Sequence, residues 1–390
     1  MVKYILVPWC LLFLLCCRND TSGQYPYQVP QQLEDGIAIG TLQDVGIDST
    51  RIFKALRKIQ KGNFNEIHSV LLYKNGRLVL EEYFPGHRYQ WDAPSHHGTV
   101  AHWNRNELHS VMSVTKSVTS ALVGLAVEKG FIKSVNQSIF DFLPEHQHLR
   151  TIEKEGITIE HLLTMTSGLD WVEWNAPYSS RSNPMVAIWY AKKDPVSYIL
   201  EAELVHEPGS SFSYYGGSQI LLGEIIRNAS QMTIAEFSQK HLFGPLGIAD
   251  FDWSLRFGNG VYESAGALRL KPRDMLKIGI VYLNEGTWKD NRILSKEWIG
   301  KSKIPFGHNL NIQVPGEDMD DTGYSYSWWL DEFQVSGMPI ATFHASGWGG
   351  QKIIVIPKLE TVVVFTGGNY TSKPKPFKIL ERYILPAMVK

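Results

Sequence analysis

Apolar positions from 109 to 130 run around a helix almost without a polar face. Val114, Val118, Leu122 and Leu125 recur at helical spacing, and Ala121, Val123, Ala126 and Val127 fill most of the remaining circumference. Gly130 stands where a left-handed C-terminal residue commonly ends a helix. This pattern predicts a buried helix over 109–130 whose first turn opens inside the protein. Upstream, Ile52, Leu56 and Ile59 mark the inner face of a helix near 48–60. Two β-rich runs, 68–73 and 77–84, flank Asn75-Gly76, a strong hairpin signal. From 134 to 320 the pattern is mainly helical, in short segments with many turns. Strand character returns over 324–330, 340–344, 352–357 and 361–366, and 376–389 closes as a helix. Strands near both ends with helices between them predict one domain carrying a helical insertion, not two tandem domains.

The N-terminus departs from this scheme. Lys3 precedes an apolar stretch too short for a comfortable membrane span, and polar Arg18-Asn19-Asp20 follow abruptly. Residues 1–17 therefore read as an export signal. Leu14-Leu15-Cys16-Cys17 resembles a bacterial lipoprotein processing site with Cys17 as the lipidated residue; simple cleavage and a retained anchor are the alternatives. The expected location is the periplasm or a lipid-anchored membrane face, or secretion. Residues 18–38, polar and aperiodic, read as a tether, and 39–390 as the domain. All three cysteines, Cys10, Cys16 and Cys17, lie in the leader, so the domain has no disulfide, thiol nucleophile or thiolate metal site. A formal net charge of −1 with no basic run excludes an electrostatic nucleic-acid binder.

Candidate chemistry begins at Ser113-Val114-Thr115-Lys116. If Ser113 opens the helix, its hydroxyl and the Lys116 amine share one face, and its N–H is among the unpaired donors of the first turn. A lysine in a dry pocket loses affinity for its proton; bringing one from about 10.4 to about 7 takes about 4 kcal/mol. A neutral amine beside a hydroxyl is a nucleophile with its base attached. Ser-x-x-Lys alone is weak, since Ser372-Lys373-Pro374-Lys375 also fits it, although its prolines cannot continue a helix. The bland reading is a buried helix whose lysine snorkels to the surface.

The motifs that follow decide between these readings. Glu128-Lys129-Gly130 is followed by Asp141-Phe142-Leu143-Pro144 and the run 157–169, which ends Thr166-Ser167-Gly168-Leu169. Then come Phe243-Gly244-Pro245-Leu246-Gly247-Ile248 and Ser264-Ala265-Gly266-Ala267-Leu268. In this order and spacing the series resembles the serine hydrolases related to class C β-lactamases and penicillin-binding carboxypeptidases, over about 40–390. The resemblance implies a β-lactamase/transpeptidase-like α/β (α+β) fold: an antiparallel sheet flanked by helices. It implies Ser113 as nucleophile and Lys116 as its base. Tyr214, in Tyr214-Tyr215-Gly216, is the implied acid/base partner, with Tyr215 a neighbouring decoy. Gly216 replaces the asparagine that β-lactam enzymes use to hold substrate; Tyr-x-Gly is similar to esterases and aminohexanoate-oligomer hydrolases.

The implied third motif is Ala345-Ser346-Gly347, in place of Lys-Thr-Gly, with His344 as a candidate cationic anchor and Ser346 and Gly347 beside the substrate. The N–H of Trp348 then joins that of Ser113 as the oxyanion hole, such a donor being worth about 3 kcal/mol in the transition state. Trp171, Trp174 and Tyr178 are candidates for the acyl pocket. His96, His97 and His102, with His146 and His148, lack carboxylates at ligand spacing, so no metal is assigned and no cofactor is expected. Gly-x-Ser-x-Gly is absent, which argues against an α/β-hydrolase. The expected activity is hydrolysis of a small ester or amide through an acyl-enzyme on Ser113. A penicillin-binding D-alanyl carboxypeptidase or β-lactamase, and a catalytically silent binding protein, are the alternatives.

Overall fold

The computed structural model describes residues 25–389, Asp320 apart. The expected export signal, Cys17 and the start of the expected tether lie outside the described residues. Among the described residues no helix is long and apolar enough to cross a membrane.

Helix α1 (Ser49–Gln60) forms where the apolar spacing placed it, and the Asp48 carboxylate caps it by accepting from the Thr50 N–H. Strands β1 (Ile67–Lys74) and β2 (Arg77–Tyr83) make the expected hairpin. Asn75 and Gly76 stand at φ +48° and +81°, as a two-residue turn of this hand requires. A ribbon of β3 (Pro85–Tyr89) and β4 (His97–His102) follows. Then come β5 (His109–Ser110) and α2 (Val114–Glu128). The predicted helix thus begins later than its pattern suggested. His109 and Ser110 are extended because they pair with Leu270 and Arg269.

Residues 134–320 hold helices α3 (Ile159–Leu163), α4 (Pro184–Tyr190), α5 (Pro195–Leu200), α6 (Gly216–Ser230) and α7 (Ile234–Ser238). Strands β6 (Asp252–Trp253) and β7 (Leu268–Leu270) precede α8 (Pro272–Leu283). A small hairpin, β8 (Thr287–Trp288) and β9 (Asn291–Arg292), leads to α9 (Lys296–Ser302). The chain closes with β10 (Gly323–Ser325), β11 (Trp328–Val335), β12 (Met338–Gly347), β13 (Gln351–Ile356) and β14 (Thr361–Gly367). Last come α10 (Pro376–Ile379) and α11 (Leu385–Met388), joined by a wider helical turn over Leu380–Ile384. The single strand expected over 324–330 is in fact two, because Tyr326 and Ser327 take φ of +45° and +65° and reverse the chain.

Seven strands form one antiparallel sheet in the order β10-β11-β12-β13-β14-β1-β2. Its central strands are buried on both faces, which explains their unbroken apolar runs. Leu71, Ile353, Val355, Val362 and Val364 face α2 and α8. Val70, Leu72, Ile354, Ile356, Val363 and Phe365 face α1 and the C-terminal helices. Helix α8, although inside the 134–320 region, packs directly on β1, β13 and β14.

The described part of the expected tether also packs on the domain. Tyr25 donates to Glu82 at 2.8 Å, Tyr27 donates to the Val79 carbonyl at 2.8 Å, and Ile37 is buried. Arg273 of α8 fastens it, donating to Asp35 at 2.8 Å, to the Gln31 carbonyl at 2.8 Å, and through two nitrogens to Glu81 at 2.9 and 2.6 Å.

Candidate active site

Ser113 caps α2, and the backbone delivers it there under strain. Met112 stands at φ +49°, a left-handed conformation that costs a non-glycine residue roughly 1 kcal/mol or more. Thr115 over-determines the turn. Its hydroxyl donates to the Met112 carbonyl at 2.6 Å and accepts the Leu268 N–H at 3.2 Å. The Val111 N–H reaches the Leu268 carbonyl at 3.0 Å. Strand β7 therefore sets where the helix begins.

Lys116 lies one turn into α2 and is buried. Its amine stands 2.9 Å from the Ser113 hydroxyl and donates to the Ala265 carbonyl at 2.8 Å. Burial pushes the amine below the ordinary lysine range, while the carboxylates of Glu173 and Glu263 pull it back up. Tyr214 completes the group, its ring centroid 5.1 Å from the Lys116 nitrogen. Burial raises the Tyr214 phenol far above the ordinary tyrosine range and Glu173 adds to that. A hydrogen bond with Ser113 pulls it part of the way down. The phenol thus keeps its proton while the amine is disposed to lose one. Trp174 and Trp329 stack on Tyr214 at centroid distances of 5.2 and 5.9 Å. Tyr215 instead enters the core and packs on Trp171 at 4.9 Å.

Two buried glutamates hold this group together, and nothing in the motif spacing announced them. Glu173 accepts from the Trp171 indole and the Tyr178 hydroxyl, each at 2.8 Å, and from the Gly216 N–H at the start of α6. A Cβ on Gly216 would meet Met185 Sδ at 2.6 Å and Glu173 Oε1 at 2.7 Å. Gly216 therefore makes room for Glu173, and an asparagine here would collide with it. Glu263 accepts the Ala265 and Gly266 N–H groups, both at 3.0 Å, and so fixes the carbonyl that holds Lys116. The available signals were a lone acid inside the aromatic run Trp171-Val172-Glu173-Trp174 and an acid just before Ser264-Ala265-Gly266.

The third motif lies at the end of β12. Gly347 approaches the segment ahead of Ser113 so closely that a Cβ would meet the Val111 carbonyl at 2.3 Å. That contact sets Trp348 beside Ser113, and both line a cavity of about 730 Å³. His344 does not line it. The imidazole is fully buried between Asp331, at 2.6 Å, and Ser346, at 2.8 Å, with Phe377 against its face, and burial lowers its pKa. A histidine enclosed away from the cavity and already engaged by Asp331 cannot anchor a substrate carboxylate. Ser346 also accepts from Lys352, its partner in β13, at 3.0 Å, and Lys352 is answered by Glu317 at 2.7 Å. The cation missing from the motif thus comes from the next strand, but buried and neutralised. Trp171 sits behind Glu173 rather than on the cavity wall; Tyr178 is on the wall, 5.7 Å from the Trp348 ring.

Apolar and aromatic groups dominate the rest of the cavity: Tyr89, Trp91, Trp103, Trp189, Tyr190 and Leu255. Its two arginines are engaged, Arg88 with Glu107 at 2.9 Å and Arg269 with Asp252 at 3.6 Å.

The fold agrees with comparisons to known proteins. The solved structure titled a putative 6-aminohexanoate-dimer hydrolase from Bacillus anthracis is similar with a TM-score of 0.67 at 20% identity, covering 92% of this chain and 89% of that one. A family VIII carboxylesterase is similar with a TM-score of 0.64 at 17% identity, covering 86% and 97%. At such identities these likenesses show the fold alone. Among sequences, the chain is 23% identical to 6-aminohexanoate-dimer hydrolase of Paenarthrobacter ureafaciens, covering 66% of each. It is 24% identical to penicillin-binding protein 4* of Bacillus subtilis, covering 65% of this chain and 59% of that one. The chain thus spans less than two thirds of the length of these relatives. The Beta-lactamase family model matches residues 67–383, from the first strand of the sheet into the C-terminal helices. That span takes in the strained turn, the lysine, the tyrosine and both supporting glutamates, and the chain belongs to the Beta-lactamase family.

Proposed function

We propose that the protein is a serine hydrolase that cleaves an uncharged ester or amide with a bulky apolar part, through an acyl-enzyme on Ser113. The observation that carries this reading is the Lys116 amine, buried and 2.9 Å from the Ser113 hydroxyl. In this reading Lys116 takes the serine proton as the hydroxyl attacks the carbonyl carbon. Tyr214 gives its phenolic proton to the departing alcohol or amine and regains one from Lys116, so the serine proton ends on the leaving group, and the Ser113 and Trp348 N–H groups receive the oxyanion. Water then releases the acid by the reverse proton path. The aromatic wall and the paired arginines favour an acyl group of low charge. Gly216 and the enclosed His344 favour an ester or simple amide over a β-lactam, because two polar anchors for the latter are missing.

Turnover of p-nitrophenyl esters and of nitrocefin, measured side by side, tests this. Ester cleavage is expected to dominate, with a fluorophosphonate adduct on Ser113 that Ser113→Ala abolishes. Efficient nitrocefin hydrolysis with poor ester cleavage contradicts it.

The pH profile gives a second test. A neutral Lys116 is the active form, so kcat/KM rises with pH through its pKa. Glu173 and Glu263 hold that pKa up. Glu173→Gln removes one negative charge, destabilises the protonated amine and is expected to move the acid limb to lower pH. A shift to higher pH would show that the limb belongs to another group.

A further inference from the structure

Away from Ser113, the described residues bring together the donor atoms of Glu66, His87 and His97, all within 4.8 Å of one another. Glu66 precedes β1, His87 lies in β3 and His97 opens β4. A register irregularity between His87 and Tyr89 sets the two imidazoles on one side of the ribbon. They stack with centroids 4.4 Å apart and planes 3° from parallel. His87 Nδ1 meets Glu66 Oε1, and His97 Nε2 stands 4.0 Å from Glu66 Oε2. In the sequence His97 has no carboxylate at ligand spacing; the fold brings one to it from Glu66.

Glycines let Glu66 and His68 lie close against the backbone here. A Cβ on Gly368 would meet Glu66 Oε2 at 2.5 Å, and one on Gly86 would meet His68 Nε2 at 2.3 Å. His97 Nε2 donates to the Gly368 carbonyl at 2.8 Å, a hydrogen bond that an ion bound at this nitrogen displaces together with its proton. His68 Nε2 stands 3.3 Å from Glu66 Oε2, and its Nδ1 bonds His109 Nε2 at 2.8 Å. Side-chain exposures of 23%, 35% and 26% for Glu66, His87 and His97 leave the cluster open to solvent.

The geometry points to a site for a divalent transition-metal ion of the Zn²⁺ class, held by Glu66, His87 and His97. Two imidazoles and a carboxylate suit Zn²⁺ or Co²⁺, whereas Mg²⁺ and Ca²⁺ take oxygen ligands. The stacked rings do not hydrogen-bond each other, and one donor atom from each lies within 4.8 Å of a Glu66 oxygen, close enough for one cation to draw all three together. His68 bonded to Glu66 is the kind of outer partner that orients a ligand. The ion's role is to brace. It would tie the β3–β4 ribbon to the start of β1, and that ribbon and its turn carry Tyr89 and Trp91 of the cavity wall and His96, which packs on Trp348 at 5.0 Å.

The test uses full-length protein without a histidine tag, stripped with EDTA and dialysed. Titration with Zn²⁺ by calorimetry is expected to show one site per chain, a rise in Tm and, with Co²⁺, visible absorption from nitrogen ligation. His87→Ala/His97→Ala is expected to weaken Zn²⁺ binding at least about 100-fold, given that losing even an outer partner costs about 10–100-fold. Glu66→Gln, close in shape, weakens it too and serves if the double variant fails to fold. His102→Ala, an exposed histidine on the same ribbon, leaves it unchanged. Absence of stoichiometric uptake, uptake indifferent to both Glu66→Gln and the double variant, or preference for Mg²⁺ over Zn²⁺ overturns the assignment.

Discussion

Lys116→Met is expected to lower kcat/KM for a p-nitrophenyl ester by about 10³- to 10⁴-fold while leaving Tm near that of the parent. Methionine matches the length of the lysine stem and fills the same buried channel. What it removes is the base 2.9 Å from Ser113 and a donor to the Ala265 carbonyl. Losing that hydrogen bond costs about 1 kcal/mol, set against the relief of an amine that burial disfavours when charged. Activity and stability therefore part company, as they do where a site is held against its own desolvation. Lys116→Arg is expected to be equally inactive, since a guanidinium keeps its proton. Steady-state kinetics with differential scanning calorimetry decide it; a variant retaining a tenth or more of the parent's kcat/KM would remove Lys116 from the mechanism.

The largest stability effect is expected at Arg273→Met. Arg273 is 4% exposed and meets Glu81 with two nitrogens, Asp35 with a third contact and the Gln31 carbonyl. Truncating it leaves the Glu81 side chain, itself 0% exposed, with the neutral Tyr83 hydroxyl at 2.7 Å and a more distant cation, Arg105, at 3.5 Å. Breaking one partner of a buried pair costs about 3–5 kcal/mol. Arg273→Met/Glu81→Met is expected to recover much of that, because the stranded charge goes as well. Urea unfolding of the two variants reads this directly, and a single-variant loss below about 1 kcal/mol, typical of an exposed pair, contradicts it.

Periodicity alone disclosed α1, the β1–β2 hairpin and the paired apolar strands β13 and β14, because each has a spacing or a turn dipeptide that one structure satisfies. It did not disclose the reversal at Tyr326-Ser327. Neither tyrosine nor serine readily takes positive φ, and the strained pair is held by its surroundings, with Ser327 N–H on the Leu163 carbonyl at 3.0 Å. Nor did it show that His109 and Ser110 are extended: their partners, Leu270 and Arg269, come from a remote segment, and such pairing overrides local pattern. At the site, the hydroxyl, amine and phenol were legible from motif order. Glu173 and Glu263 were not, since their work is to accept backbone N–H groups that only the folded loops present. His344 fails as an anchor for the complementary reason: it is enclosed between Asp331 and Ser346, away from the cavity, and nothing local in sequence shows that burial.

The place of β1 in the sheet, between β14 and β2, bears on how the polypeptide is made. Translation delivers Ile67–Lys74 long before Thr361–Gly367, so the first hairpin emerges with one flank bare. Closing so long a loop adds little to the final free energy, since its entropy grows only with the logarithm of length, but it delays completion. A ribosome stalled before Thr361 leaves a nascent product whose exposed Val70, Leu71 and Leu72 edge is open to pairing with its neighbours on a polysome.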